Sequence, residues 1–274
     1  MLKRVIGTVR RMIPLSIGRT PRQETKRYLM DVHIGNEDAG TPAARFDEAY
    51  FAAHRVNAYQ RLLGVKGFVG SWLRKRPVQP TSILDIGCGM GFFFRDVRFI
   101  PERCGCDVSP VALRKARQTD PSATFSLIEP DGTLPFSEQC FDVITCFDVI
   151  EHVADDRNVF VQARKRMIPG GIFILSTPNP RSLGHRVKKG RWFGYRDKTH
   201  INILSPEELA ARLRLSGFII DDIRYDGFWD VPYFTPLKIV EQLLVQLPSV
   251  LAFRYGRIGS PYLGENTWIL ARAR

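Results

Sequence analysis

Three glycines at alternate positions, Gly87, Gly89 and Gly91, interrupt the stretch SILDIGCGMGFFF at residues 82–94. Glycine loses more backbone freedom on folding than any other residue, so three set this close require a tight turn or a ligand against bare backbone. Before them, SILDI alternates apolar residues around one acid, Asp85, as a strand does; after them comes an aromatic run. A strand that turns through glycines into a helix is a crossover of an α/β fold. Ligands of open α/β sheets bind at the carboxyl ends of the strands, where this turn would lie.

The residues that follow keep the same rhythm. SILDIG reads as a strand, MGFFFRDVRFI as a helix and CGCDV as a strand. SPVALRKARQTD reads as a helix capped by Ser109 with Pro110 at its first position. TFSLI and FDVITCFDV are strands, the second entered through the turn LPFSEQC. VADDRNVFVQARKRMI is a helix ended by PGG, and IFILSTP a further strand. The pattern predicts an α/β fold with a doubly wound, mostly parallel sheet. It divides the chain into a basic lead-in over 1–45 and a main domain over 46–225. The main domain holds a core at about 80–178 and an insertion at about 179–205. Residues 226–274 form an apolar extension and a final strand. RFDEAYFAAHRVNAYQRLLGVKGFVGSWLRK adds a helical lead-in ahead of the first strand.

Three nucleotide cradles compete for the glycine turn. A phosphate loop needs Lys-Ser or Lys-Thr after its last glycine, which this chain lacks. The dinucleotide fingerprint GxGxxG is one residue longer than G-C-G-M-G. The third is a GxGxG turn after an acid-bearing strand. With it come GCDVS, LIEPDGTLPFSEQCFDVITCFDVIEHV and RMIPGGIFILSTPNP, in that order. Together these segments resemble the class I S-adenosylmethionine-dependent methyltransferases, including those of ubiquinone biosynthesis and of sugar and lipid loci. The resemblance runs from about residue 47 to 218 and implies a Rossmann-like methyltransferase fold with S-adenosylmethionine as cofactor. It implies that Gly87, Cys88, Gly89 and Gly91 admit the methionine portion and that Asp85 orients the loop. Asp107 would hold the ribose, Val108 flank the adenine, and Glu129 or Asp131 lie near the adenine amine. Phe147 and Asp148 would line the methyl end. Core packing for Val108 and Phe147, and turn formation for Asp131, are the competing readings.

Methyl transfer to a hydroxyl needs alignment, exclusion of water and removal of a proton. His152, in EHV after the fourth strand, and His200, in KTHINILSPEEL, are the catalytic candidates, with His185 a third histidine of the same region. Asp148, Glu151 and His152 also resemble the acid-x-x-Glu-His set with which ubiquinone-biosynthesis O-methyltransferases bind a divalent cation. Here Asp stands where that set usually has Glu. Tyr50 and His54 resemble a lid over the cofactor. Purely structural roles compete for each of these side chains.

The charge is uneven. The 274 residues carry a net +12, with eight basic residues against Glu24 alone in residues 1–30 and seven against Asp197 in 181–198. Such patches suit an anionic membrane surface, a phosphorylated substrate or nucleic acid. Nucleic acid is disfavoured, because FDVI stands where RNA base-amine methyltransferases carry an [N/D]PP[Y/F]-type tetrapeptide. Residues 236–255 are apolar but broken by Pro248, too short to span a bilayer yet able to lie at its interface. Five scattered cysteines without a CxxC pair fit a reducing cytoplasm. The expectation is a cytoplasmic enzyme at the inner face of the membrane, O-methylating a small or lipid-linked acceptor of quinone, sugar or lipid type. An RNA or protein methyltransferase and a non-catalytic cofactor-binding module are the alternatives.

Overall fold

A computed structural model describes Phe46, Asp47, Tyr50 and residues 65–129, 131–234, 237–255 and 260–274. The basic lead-in and His54 lie outside the described residues.

Helix α1 (Val65–Arg74) precedes β1 (Ser82–Ile86), which leads through the glycine turn to β2 (Glu102–Asp107) and α2 (Pro110–Thr119). Then follow β3 (Thr124–Leu127), β4 (Phe141–Phe147), α3 (Asp156–Arg166) and β5 (Met167–Pro178). The insertion carries α4 (Leu183–Lys188) and α5 (Phe193–Arg196); α6 (Pro206–Leu215) and β6 (Phe218–Tyr225) come next. A helical segment from α7 (Lys238–Glu241) through a π turn to α8 (Leu247–Arg254) precedes β7 (Asn266–Ala273). The seven strands lie in the order β3-β2-β1-β4-β5-β7-β6, with β7 antiparallel to both its neighbours and the remaining pairings parallel. The winding direction reverses between β1 and β4, and that switch point is where a crevice opens beyond the strand ends.

Two apolar layers cover the sheet. On one face α3 and α6 pack Phe160, Leu209 and Leu213 against Ile144, Phe173 and Phe218. On the other, α1, α2 and α8 bring Leu73, Leu113 and Phe253 onto Val143, Phe147 and Trp268. Burying one such Leu or Phe contributes about 1.5–3 kcal/mol. The caps follow the sequence: the Ser109 hydroxyl accepts from Ala112 N at the start of α2, and Ser205 with Glu208 forms a capping box on α6.

The expected helix after the glycine turn is instead a single 3-10 turn, Phe92–Arg95. Its adjacent phenylalanines part to different partners, Phe93 to Phe147 and Phe94 to Phe125, and Gly91 at its N-cap is left-handed. Helix α3 also stops at Arg166, before the expected PGG, because Met167 already pairs with Phe141 in the sheet.

Candidate active site at the switch point

The three glycines of the turn all have positive φ, 71°, 51° and 72°, which side-chain-bearing residues rarely adopt. Each has a separate use. A Cβ on Gly87 would stand 2.2 Å from Cγ2 of Val149, so this glycine lets the loop after β4 lie directly on the turn. One on Gly91 would meet Ala116 of α2 at 3.1 Å. Gly89 donates its N–H to the Asp107 carboxylate at 2.8 Å. The Gly87 and Cys88 amides both reach the Cys106 carbonyl, so the turn is stapled to the end of β2.

The acids at the strand ends hold this arrangement. Asp107, 7% exposed, accepts from the Gly89 and Ser109 amides on different oxygens. Burial pushes its carboxyl up, against those amide bonds, which favour ionisation. Asp85 is buried and accepts from Thr145 Oγ1 at 2.6 Å across the β1–β4 pairing. Cys88 is buried and its thiol pushed well up by burial and by the charges of Asp107 and Asp85; a thiol held protonated is no nucleophile. Val108 is half-buried beside Asp107. Glu129 and Asp131 are exposed on the loop after β3, and Asp131 accepts from Thr133 N at 2.8 Å, which holds its pKa low and marks it as a turn former.

Phe147 belongs to the core, the reading that competes with a place at the methyl end. It is 4% exposed and packs on Phe93 and Trp268, because strand alternation sends it to the same sheet face as Val143. Asp148, by contrast, is exposed in a left-handed conformation, with Ser176 donating to its carboxylate at 2.8 Å.

The loop after β4 turns through Ile150–His152, and the insertion closes over it. His152 and His200 lie edge to face with ring centres 4.7 Å apart. Thr199 Oγ1 is 2.9 Å from His152 Nδ1 and 2.6 Å from Asp197 Oδ1. A hydroxyl has one proton; given to Asp197, it leaves the oxygen to accept from His152 Nδ1–H, so Nε2 carries the lone pair. Burial first, and His200 second, push the His152 pKa down to about 4, so the ring is neutral near pH 7. Burial raises Asp197, but the Thr199 hydroxyl and amide and the nearby imidazoles outweigh it and keep the acid ionised. His200 donates from Nδ1 to the Gly194 carbonyl at 2.7 Å. Phe46 stands edge-on to both Tyr50 and His152, its carbonyl takes the Ser109 hydroxyl at 2.6 Å, and Tyr50 donates to Asp197. Both residues thus lean over the crevice, where a lid would sit.

Donor atoms of Glu151, His152 and His200 lie within 4.8 Å of one another and could hold a divalent ion. His200 takes the place expected of Asp148, whose carboxylate is turned to Ser176. His185 stands apart from this cluster, against Trp192 and Tyr195. Asp197 and Thr199 carry no sequence signal of their role; the D-x-T-H spacing acquires meaning only when the insertion folds back onto His152.

Residues 57–222 match the methyltransferase-domain family. A ubiquinone biosynthesis O-methyltransferase of Hydrogenovibrio crunogenus is 26% identical over 62% of this chain and 72% of its own length. An S-adenosylmethionine-dependent methyltransferase of Mesorhizobium loti superposes with a TM-score of 0.52 at 20% identity, covering 76% of this chain and 98% of that one. Phosphoethanolamine N-methyltransferase 2 of Haemonchus contortus, solved with S-adenosyl-L-methionine, superposes with a TM-score of 0.53 at 18% identity over 77% of this chain and 53% of its own. Positive-φ glycines and a buried acid at the end of β2 fit the same cofactor. The chain belongs to the methyltransferase-domain family and is an S-adenosylmethionine-dependent methyltransferase.

Proposed function

We propose that this methyltransferase acts on oxygen, taking a small or lipid-linked acceptor of quinone, sugar or lipid type, with His152 as the general base. The observation that carries this reading is the hydrogen-bond chain from Asp197 through Thr199 to His152: Thr199 donates to Asp197, so its oxygen takes His152 Nδ1–H and Nε2 is left as the basic nitrogen. A hydroxyl acceptor must lose its proton as the new bond forms, and a neutral imidazole in a buried site serves that purpose. The name of the Hydrogenovibrio relative supports an oxygen acceptor.

Bound S-adenosylmethionine supplies an electrophilic methyl group on a sulfonium, so the protein's task is position and electrostatics. In this reading the Gly87, Cys88, Gly89 and Gly91 backbone receives the methionine portion, and Asp85 braces the turn from β1. Each Asp107 oxygen already holds one amide and keeps a further lone pair for a ribose hydroxyl. Val108 flanks the adenine, and Glu129 and Asp148 border the opening. Phe46 and Tyr50 exclude water above His152, while His200 fixes the insertion through Gly194 and faces the acceptor.

A second reading draws on the Glu151, His152 and His200 cluster. A divalent cation there would acidify a catechol-type hydroxyl, and the imidazoles would be ligands rather than bases. Turnover that survives exhaustive chelation supports the base reading; loss that added magnesium or manganese restores supports the cation.

Membrane attachment at the inner face of a cytoplasmic membrane is part of the same proposal. Among the described residues no helix is long and apolar enough to cross a membrane. Leu237, Ile239, Leu243 and Leu244 are nonetheless between 59% and 72% exposed around α7 and the π turn, an apolar face that suits an interface. Flotation with anionic vesicles, full length against a chain lacking residues 1–30, tests it. For the activity itself, transfer of labelled methyl from S-adenosylmethionine to a panel of catechols, sugars and amines decides. Labelling of amines alone would overturn the oxygen assignment.

A further inference from the structure

Beyond the exit of β5 and the start of β7 the insertion borders an open hollow of about 400 Å³, lined by Pro180, Arg181, His185, Arg186, Ser205 and Tyr262. We propose that this hollow is a phosphoryl subsite, which receives a phosphate or diphosphate carried by the methyl acceptor. The inference rests on the acceptor entering over the switch point, as proposed above, and adds the chemical class of its distal group.

The lining is cationic on both sides. Arg186 lies over the Tyr262 ring at 5.5 Å, which holds its planar fork toward the hollow without neutralising it. Arg181 meets Glu207 at 3.3 Å, but both side chains are about half exposed, and so open a pair is weak enough to exchange for a phosphoryl oxygen. His185 donates from Nδ1 to the Pro180 carbonyl at 2.6 Å, which leaves Nε2 as the nitrogen to meet a ligand. Arginine is the side chain best matched to phosphoryl geometry, because its guanidinium donates two parallel hydrogen bonds.

The support is rigid. Ser182 caps α4 through His185 N, and Gly184 packs so closely on Glu265 that a Cβ there would fall 2.0 Å from its carboxylate. Lys188, at the other end of α4, is paired with the buried Asp230 at 2.9 Å. Arg186 is thus presented from a helix tied at both ends, so it has little order to lose on binding, and Arg181 stands one residue before the helix cap.

Placement matches an acceptor. Pro180 lies two residues beyond β5, the neighbour of β4, and Tyr262 leads toward β7, the next strand out. Two strand spacings put the hollow about 10 Å to the side of the β4 exit, the reach of a ring bearing a phosphoryl arm. His152 stands just after that exit, so the reacting hydroxyl and the anion would lie about that far apart.

The test is calorimetric titration of the full chain with inorganic diphosphate. Saturable binding is expected, with affinity falling about tenfold in Arg186→Ala and again in the Arg181→Ala/Arg186→Ala double variant, as loss of charge-assisted contacts requires. Binding of S-adenosylhomocysteine in the same variants should be unchanged, which shows that they fold. Competition then separates the sources. Displacement of diphosphate by a soluble sugar phosphate marks a soluble acceptor, and displacement by a short prenyl diphosphate marks a lipid-borne one; either supports the subsite. Failure of both competitors, absence of saturable binding, or equal affinity in the double variant overturns it. Failure to bind S-adenosylhomocysteine would instead strike the methyltransferase reading itself, so the two failures are distinguishable.

Discussion

The Thr199 hydroxyl lies 2.9 Å from Nδ1 of His152 while donating to Asp197 at 2.6 Å, and this fixes which nitrogen of the imidazole can take a proton. In the proposed reaction Thr199 is therefore a positioning residue. Replacing it with valine keeps the volume but removes the oxygen, so the ring can rotate or change tautomer. In Thr199→Val, kcat should fall about 10–100-fold, against about 100–10,000-fold in His152→Ala. The KM for S-adenosylmethionine should stay within about twofold, since the mutation leaves uniform binding untouched. Thr199→Ser should restore most of the rate. Equal loss in the valine and serine variants would mean that Thr199 serves only to pack the insertion.

Asp107 holds the glycine turn through the Gly89 and Ser109 amides, one on each oxygen, and in the proposed reading also binds the cofactor's ribose. Asp107→Ala removes the proposed ribose contact and leaves the Gly89 and Ser109 amides without their acceptor, at a cost of about 1–3 kcal/mol for the buried Ser109 amide. S-adenosylhomocysteine affinity should fall at least about 100-fold by calorimetry. Asp107→Asn should retain an intermediate affinity, since one oxygen persists. Unchanged uptake in the alanine variant would remove Asp107 from the binding site.

Gly87 owes its identity to Val149 as much as to its φ of 71°. A methyl group at 2.2 Å from Val149 Cγ2 must displace the loop that carries His152. Gly87→Ala should destabilise the protein by about 2–3 kcal/mol, from overpacking and left-handed strain together. For a chain of this length that lowers Tm by about 5–10 °C. Adding Val149→Ala should recover part of the loss, leaving the backbone strain of about 1 kcal/mol. A double variant no more stable than Gly87→Ala would show that the close approach does not carry the cost.

These cases mark what the sequence could and could not disclose. Strand alternation, proline and serine caps and the glycine turn are local signals, so β1 to β5, α2 and the placement of Asp85 and Asp107 were legible. The inward turn of Phe147 was also in the period of its strand, but an aromatic at a strand end reads equally well as core or as pocket wall. The partnership of His152 with Thr199 and Asp197 spans 47 residues and depends on how the insertion folds back, for which no local rule exists. The same holds for β7: only the fold reveals that the last strand enters between β5 and β6. The segment after Gly91 reads as a helix because a crossover of an α/β fold normally carries one there, whereas its adjacent phenylalanines are claimed by different neighbours and hold it to a 3-10 turn.

Asp226 gives the fold a pH dependence of its own. The side chain is buried, accepts from Asn266 N, Asn266 Nδ2 and Trp268 Nε1, and lies near the Glu265 carboxylate. Burial pushes its pKa up to about 7, against the three donors, from an ordinary value of 3.8. The native state therefore holds this proton more tightly than the unfolded chain does. Its contribution to stability is fully present below pH 4 and is lost as pH rises toward 7, by up to about 1.4 kcal/mol per pH unit in that window. Asp226→Asn removes the titration while keeping an acceptor for two of the three donors. Urea midpoints at pH 5, 6, 7 and 8 should then show the variant gaining on the natural protein as pH rises to 7, with no further change above. Parallel curves would mean that the donors outweigh burial and that Asp226 is ionised throughout. Because Asn266 begins β7, the strand that separates β5 from β6, the loss should appear first as protection lost from β7 amides in hydrogen exchange, ahead of β1 and β4.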